Sequence, residues 1–217
     1  VSVECWKGFI FLNPSEKPDK NLVEYLGTMA RDLDPYPFER LNLVGVWSAE
    51  VKANWKVLVD AFQEAYHVST VHAKVQPTFF KVARTGQNRI SGFRKHGPHR
   101  SMAGSKNPDW VPSPVEARAL QLGGASFMQG LEPGQMLWPG INLGHEPPET
   151  WAFDMNVVFP TSSLATAQGL VFAYEFYPIA VDQTRFEASM YMTKPATWSE
   201  RIGQEFIMVQ LREALRE

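Results

Sequence analysis

Cysteine and long hydrophobic runs are the features that this sequence has least of. Cys5 is its single cysteine, so the chain cannot form an internal disulfide bond, and no charged-then-apolar signal peptide opens it. We therefore expect a reducing, cytoplasmic location. No segment reaches the roughly 18 uninterrupted apolar residues that a membrane-spanning helix needs. This predicts a soluble protein without a membrane partner.

The chain also lacks an excess of charge of either sign. Its 21 Lys and Arg residues oppose 23 Asp and Glu residues, which gives a formal net charge of −2 and no basic surface for a nucleic acid. No repeat of about 20–50 residues is visible, so a solenoid is not predicted. With 217 residues, 44% of them hydrophobic, the chain is long enough for one large domain, or for one domain and a fragment of another.

Apolar spacing along the chain predicts the order of its elements. We expect a strand at "ECWKGFIFLN", a helix over 22–33, a strand at "RLNLVGVWSAEVKA", and a helix from the N-cap Asn54 to about His67. Residues 73–150 are predicted to be irregular. Two long strands joined near "VDQT" and a helix capped by Thr197 follow. This order indicates an α+β domain, with an antiparallel sheet wrapped around a long C-terminal helix.

The ends of the chain lack the usual signals of a beginning and a stop. There is no initiator Met, and the last helix reaches Glu217 without a Gly, Asn or Pro to end it. We expect the parent polypeptide to continue beyond Glu217 and to extend upstream of Val1.

The segment "DAFQEAYHVSTVH", residues 60–72, has the residue types of a metal site. On a continuous helix, Asp60, Glu64 and His67 share one polar face opposite the apolar one. A solvated face with i,i+4 pairs is one interpretation of this pattern. A metal site that includes His67 and His72 is the other, and the pattern alone leaves both open.

The spacing between the two histidines needs an interruption of the helix. Residues five apart on a helix point about 140° from each other, so His67 and His72 can share one ion only if the helix ends or distorts between them. The intervening "VSTV" is rich in β-branched and weakly helix-forming residues, which predicts such an interruption. Two imidazoles and one carboxylate with open positions are typical of non-haem Fe(II) oxygenases, because O₂ and substrate must both approach the iron.

The remaining polar residues of note are interpreted as solvated. His96 and His99 in "RKHGPHR", and His145 in "GHEPPE", lie in Gly- and Pro-rich sequence and are predicted to be loop residues in contact with solvent. Glu175 alternates with apolar residues in a predicted strand, and we expect it to face solvent.

Taken together, the quoted motifs resemble a known family. Asn54-Trp55-Lys56, Asp60-Ala61-Phe62, Glu64-Ala65-Tyr66-His67 and His72 resemble the catalytic-domain signature of the Rieske non-haem iron oxygenases, the large (alpha) subunits of aromatic-ring-hydroxylating dioxygenases. The resemblance implies a helix-grip fold of the Bet v 1 and START type. It implies that residues 1–15 are the terminal strand and linker of an absent Rieske domain. Residues 16–217 would then be the mononuclear-iron catalytic domain, truncated at its C-terminal helix.

The same resemblance implies roles for particular residues. His67 and His72 would be two ligands of Fe(II). Glu64 would be the bridging acid that links an iron-ligating histidine to a cluster-ligating histidine of the neighbouring subunit. The third ligand, a carboxylate on the terminal helix, would lie beyond Glu217. Three apolar residues would lie beside the substrate cavity, although an ordinary place in the core explains them equally well: Phe62, Ala65 and Val68.

The activity implied is hydroxylation of an aromatic or other apolar small molecule with O₂. Electrons would come from NAD(P)H through a reductase, with or without a ferredoxin, and through a Rieske [2Fe-2S] cluster. Such a cluster needs two Cys and two His ligands, which Cys5 cannot supply, so we expect it elsewhere on the parent chain or on a partner subunit. The resemblance also implies a homotrimer, with or without a small β subunit. A START-like module that binds an apolar ligand without redox chemistry is the alternative.

Overall fold

The computed structural model describes residues 1–72, 90–105, 111–123, 151–167 and 169–217 of the chain. Nine strands are present in these ranges: β1 (Ser2–Trp6), β2 (Phe9–Asn13), β3 (Leu41–Val51), β4 (Ile90–His96), β5 (His99–Ser105), β6 (Trp151–Val158), β7 (Ser162–Ala167), β8 (Leu170–Ala180) and β9 (Gln183–Thr193). The α-helices in the same ranges are α1 (Leu22–Leu26), α2 (Thr28–Leu33), α3 (Trp55–Ala61), α4 (Val68–Val71), α5 (Pro114–Gln121) and α6 (Trp198–Leu215), with a 3₁₀ turn at Phe38–Arg40.

A seven-stranded antiparallel sheet forms the centre of the fold. Its strand order is β3-β9-β8-β7-β6-β5-β4, and every neighbouring pair is antiparallel. The predicted pair of long strands is confirmed as β8 and β9, in which Phe172 lies opposite Met190. Alternate residues of both strands are buried: Leu170, Phe172, Tyr174, Phe176, Ala188, Met190 and Met192.

The sheet separates two apolar clusters because successive side chains of a strand point to opposite faces. On β8, Val171 and Ala173 belong to the cluster beneath α1 and α2, whereas Phe172 and Tyr174 belong to the cluster beneath α3 and α6. Helix α6 lies on this second face, and its Ile207 is buried there. The prediction of an α+β fold with an antiparallel sheet and a long C-terminal helix is confirmed.

The first predicted strand is wrong in one respect, because it is a hairpin of two strands. Lys7 and Gly8, with φ of 50° and 90°, make the tight turn between β1 and β2, and such left-handed positions match the twist of a two-residue hairpin. The inner side chains of the hairpin pack against the cluster beneath α1 and α2: Trp6, Phe9 and Phe11.

The single helix predicted over 22–33 is two helices. Gly27 adopts a φ of 57° between α1 and α2, which ends the first helix and starts the second. The predicted apolar residues are nevertheless all buried: Leu22, Leu26, Met29, Ala30 and Leu33.

The expectation of an irregular 73–150 segment is wrong in its described part. Strands β4 and β5 extend the sheet, and α5 begins with a capping box in which the Ser113 hydroxyl accepts from the Glu116 N–H. Residues 73–89, 106–110 and 124–150, including His145, lie outside the described residues. Within the described ranges, no helix is long and apolar enough to cross a membrane.

His96 and His99 are buried, which contradicts their interpretation as solvated loop residues. They pair with each other at the ends of β4 and β5, and Gly97, with a φ of 62°, forms the turn between them. The His99 ring accepts from the Phe159 N–H through Nδ1 at 3.0 Å and contacts the Tyr25 carbonyl through Nε2 at 2.8 Å. Burial lowers the pKa of both histidines, which favours neutral rings in these positions.

Glu175 is also less exposed than predicted. Its carboxylate accepts a hydrogen bond of 2.6 Å from the Ser162 hydroxyl on the neighbouring strand. Burial raises the pKa of Glu175. A strand in the middle of the sheet therefore keeps this acid half-buried and paired.

Candidate functional site

The helix that precedes the two histidines is shorter than predicted. The Asn54 side chain caps α3 by accepting from the Lys56 N–H at 3.0 Å, as expected. The helix then ends at Ala61, six residues before His67. Phe62 leaves the helix there, and its ring packs 4.4 Å from the ring of Tyr174. The helix therefore ends at the residue whose ring packs against the sheet.

The sequence "VSTV" forms a helical turn and does not interrupt the helix, so that prediction is wrong. His67 precedes α4 and His72 follows it, and the His72 N–H donates to the Val68 carbonyl at 3.0 Å. The interruption lies earlier, between Phe62 and His67. The two rings nonetheless converge, with centroids 5.4 Å apart and planes at 76°.

The predicted polar face of Asp60, Glu64 and His67 does not exist as a helical stripe, because α3 has ended before Glu64. Asp60 instead pairs with Arg100 on β5 at 2.8 Å. Glu64 turns toward His67: one carboxylate oxygen contacts Nδ1 of the His67 ring, and the other accepts from the His67 N–H at 3.1 Å. An imidazole whose Nδ1–H is held by a carboxylate presents its Nε2 lone pair to a metal.

The end of α6 lies beside the second histidine. A carboxylate oxygen of Glu217 is 3.2 Å from Nδ1 of His72. This contact brings together side chains that are 145 residues apart in the sequence. Tertiary structure therefore brings the chain just after α6 next to His72.

The donor set fits part of a non-haem iron site. The His67 ring is oriented by Glu64, and the neighbouring His72 ring contacts the Glu217 carboxylate just after α6. Imidazole and carboxylate are ligand types that suit iron. Across the part of the chain that the structure describes, no three His, Cys, Asp or Glu side chains are arranged to hold a metal ion. The described residues thus supply two candidate metal ligands, His67 and His72, and a chain end close to His72 from which a third could come. They do not supply a complete set of metal ligands.

A cavity of about 1090 Å³ opens beside the two histidines. Every residue proposed from the sequence lines it: Phe62, Glu64, Ala65, His67, Val68 and His72. The aromatic wall of the cavity was not assigned from the sequence, and it comes from the sheet: Trp47, Phe153, Phe172, Tyr174 and Phe186. The alternating pattern of β8 and β9 was visible in the sequence, but it did not indicate which buried face encloses a cavity.

A second polar cluster lies on the opposite face of the sheet. Asp154 on β6 is fully buried and accepts a hydrogen bond of 3.1 Å from the Tyr36 hydroxyl. Burial raises the pKa of Asp154 to about 7, and the bond from Tyr36 opposes this rise. The neighbours of Asp154 on β6, Phe153 and Met155, point the other way, into the cavity. This acid is therefore separate from the candidate site.

The fold is similar to those of solved oxygenases. The quaternary ammonium Rieske monooxygenase CntA, in complex with L-carnitine, aligns with a TM-score of 0.64 at 18% identity, over 99% of this chain and 46% of that one. Naphthalene 1,2-dioxygenase from Rhodococcus sp., bound to indole, aligns with a TM-score of 0.64 at 19% identity, over 94% of this chain and 48% of that one. The chain spans about half the length of these proteins, and at such identities the likeness concerns the fold.

Sequence comparisons point the same way. The glycine betaine monooxygenase oxygenase subunit of Pseudomonas aeruginosa is 25% identical over 81 residues, which cover 37% of this chain and 19% of that protein. The family defined as the catalytic domain of the ring-hydroxylating alpha subunits matches residues 38–214. This match does not favour the alternative of a START-like module without redox chemistry. The chain belongs to the ring-hydroxylating alpha-subunit family, as its catalytic domain.

Proposed function

We propose that this domain hydroxylates an aromatic or similarly apolar small molecule with O₂, at a mononuclear non-haem Fe(II) held by His67 and His72. One observation carries the proposal: two converging histidines, the first oriented by Glu64, face a cavity with an aromatic wall. Bound iron supplies the activation of O₂, with electrons from a Rieske [2Fe-2S] cluster.

The side chains of the site have distinct roles in this proposal. His67 and His72 hold the metal through ring nitrogens. Glu64 keeps the His67 ring in one orientation, and we assign it the role of bridging acid in electron transfer from the cluster of a neighbouring subunit. The third ligand is a carboxylate beyond Glu217. The contact between Glu217 and His72 supports this, because it places the end of α6 at the histidines.

The cavity wall controls access to the metal and contact with the substrate. Phe62, Ala65 and Val68 line the cavity and are proposed to contact the substrate. An apolar lining excludes water from the reacting molecule and binds apolar surface. A substrate bound there would lie beside His67 and His72, which would hold the metal.

The division of this chain into domains, and the parts of the assembly outside it, are proposals as well. We assign residues 1–15 to the end of a Rieske domain and residues 16–217 to the catalytic domain. The active assembly would be a homotrimer, with or without a β subunit, in the cytoplasm. Its electrons would come from a reductase, directly or through a ferredoxin. The cluster would reside on the parent polypeptide or on a partner subunit.

The test is the iron content of the full-length protein and of its His67→Ala and His72→Ala variants. Each variant should lose about one iron per chain, because a site with one imidazole removed binds iron too weakly to retain it. Thr70→Ala, an exposed position between the two histidines, is the matched control and should keep the wild-type content. Wild-type iron content in both histidine variants would refute the proposed site.

A further inference from the structure

Tyr174 occupies the middle of the aromatic wall. Its ring lies 4.4 Å from Phe62, 5.3 Å from Phe172 and 5.8 Å from Phe186, measured between ring centroids. The plane of the Phe172 ring is within 4° of that of Tyr174. The aromatic neighbours come from β8, from β9 and from the residue that follows α3, so the position of the Tyr174 ring is fixed by packing on several sides.

The hydroxyl of Tyr174 has no hydrogen-bond partner among the described residues. Two tyrosines on the other face of the sheet differ in this respect. The Tyr36 hydroxyl donates to Asp154 at 3.1 Å, and the hydroxyl of Tyr25, on α1, donates to the Phe159 carbonyl at 2.7 Å. Tyr174 is only 6% exposed, and it lines the cavity. The Tyr174 hydroxyl is not among the described side-chain polar atoms that are fully buried without a partner, so a molecule in the cavity can reach it.

The hydroxyl is suited to donate a hydrogen bond. Burial raises the pKa of Tyr174 above its ordinary value, so the phenol stays protonated. The charged groups of the cavity lining come from other elements, Glu64 beside His67 and the last turn of α6. A ligand that lies along the aromatic wall can therefore meet two neutral polar groups of the wall, the Trp47 indole N–H and the Tyr174 hydroxyl, of which only the hydroxyl belongs to the ring packed among Phe62, Phe172 and Phe186.

We propose that Tyr174 is a specificity-determining residue of the cavity, and that its hydroxyl donates a hydrogen bond to an oxygen or nitrogen acceptor of the substrate. The substrate class is then an aromatic or alicyclic molecule that bears a carbonyl, ether or ring nitrogen, and not a bare hydrocarbon. The inference rests on the proposed function, since it concerns the substrate of the same site. It goes beyond the proposed function by specifying a polar substituent.

The test compares two probes of nearly the same shape, acetophenone and α-methylstyrene, in which a carbonyl oxygen is exchanged for a methylene group. Binding to the full-length protein is measured without O₂ by the fluorescence of tryptophan, because Trp47 lines the cavity. In Tyr174→Phe, the Kd for acetophenone should rise about 5–10-fold, because one neutral hydrogen bond usually changes the binding affinity by about that factor. The Kd for α-methylstyrene should change less than about twofold, because the apolar contacts remain.

Tyr177→Phe is the matched control, because Tyr177 lies on the same strand, is 46% exposed and does not line the cavity. It should leave both Kd values unchanged. Tyr174→Phe should unfold at the wild-type temperature, since the hydroxyl bonds to no described residue. An unchanged Kd for acetophenone, an equal loss for both probes, or no binding of either probe to the wild type would overturn the inference. None of these outcomes bears on the iron content of the His67 and His72 variants, which tests the proposed function separately.

Discussion

The buried acid Asp154 makes a prediction about how stability depends on pH. Its carboxylate lies on the face of the sheet opposite the cavity, where the Tyr36 hydroxyl is a hydrogen-bond donor to it. Burial raises its pKa from 3.8 to about 7. In the unfolded chain the carboxyl group returns to its ordinary pKa. Folding therefore favours the protonated acid.

The sign and size of the effect follow from this difference in pKa. Below about pH 4 the acid is protonated in both states, so its contribution to stability is fully present. Between pH 4 and 7 the unfolded chain loses its proton first, and the free energy of unfolding falls by about 1.4 kcal/mol per pH unit. Above about pH 7 both states are ionised and the loss reaches about 4 kcal/mol. From pH 5 to pH 8 the expected loss is about 2–3 kcal/mol.

The perturbation is Asp154→Asn, which keeps the shape and the acceptor for Tyr36 but cannot ionise. Urea unfolding of wild type and variant at several pH values gives the difference between their free energies of unfolding, in which titrations common to both cancel. The wild type should lose about 2–3 kcal/mol relative to Asp154→Asn between pH 5 and pH 8. In Tyr36→Phe, the loss should extend to higher pH, because the bond that lowers the pKa of Asp154 is gone. Parallel pH profiles for wild type and Asp154→Asn would refute the reasoning.

Two further substitutions test the site and its surroundings. Glu64→Gln should keep the iron but reduce turnover about 10–100-fold, because the variant loses a group that orients a metal-binding histidine. Iron analysis and O₂ uptake measure the two effects. Wild-type turnover would contradict the role of Glu64. Gly104→Ala should cost about 1–3 kcal/mol of stability, because a Cβ at Gly104 overlaps the Phe153 ring on the facing strand. Urea unfolding measures this loss, and wild-type stability would show that the Phe153 ring can move aside.

Local patterns predicted the elements that depend on local chemistry. The cap at Asn54, the alternation of β8 and β9, and the apolar spacing of the terminal helix were all readable, because caps and buried faces follow from neighbouring residues in the sequence. The prediction for His96 and His99 was wrong because their burial depends on residues that are distant in the sequence. The sequence "HGPH" has the composition of a loop, and its burial depends on contacts with Thr28 and Tyr25, about 70 residues away.

The candidate site also has some features that the sequence predicts and others that only the tertiary structure decides. The spacing of Glu64, His67 and His72 determined which side chains could serve a metal, because it set the residue types and the short distance along the chain between them. Where the helix ends, which face of the sheet encloses the cavity, and how Glu217 reaches His72 were decided only by the tertiary structure. These features depend on contacts between residues far apart in the sequence, and a local pattern does not specify which distant surface will pack against it.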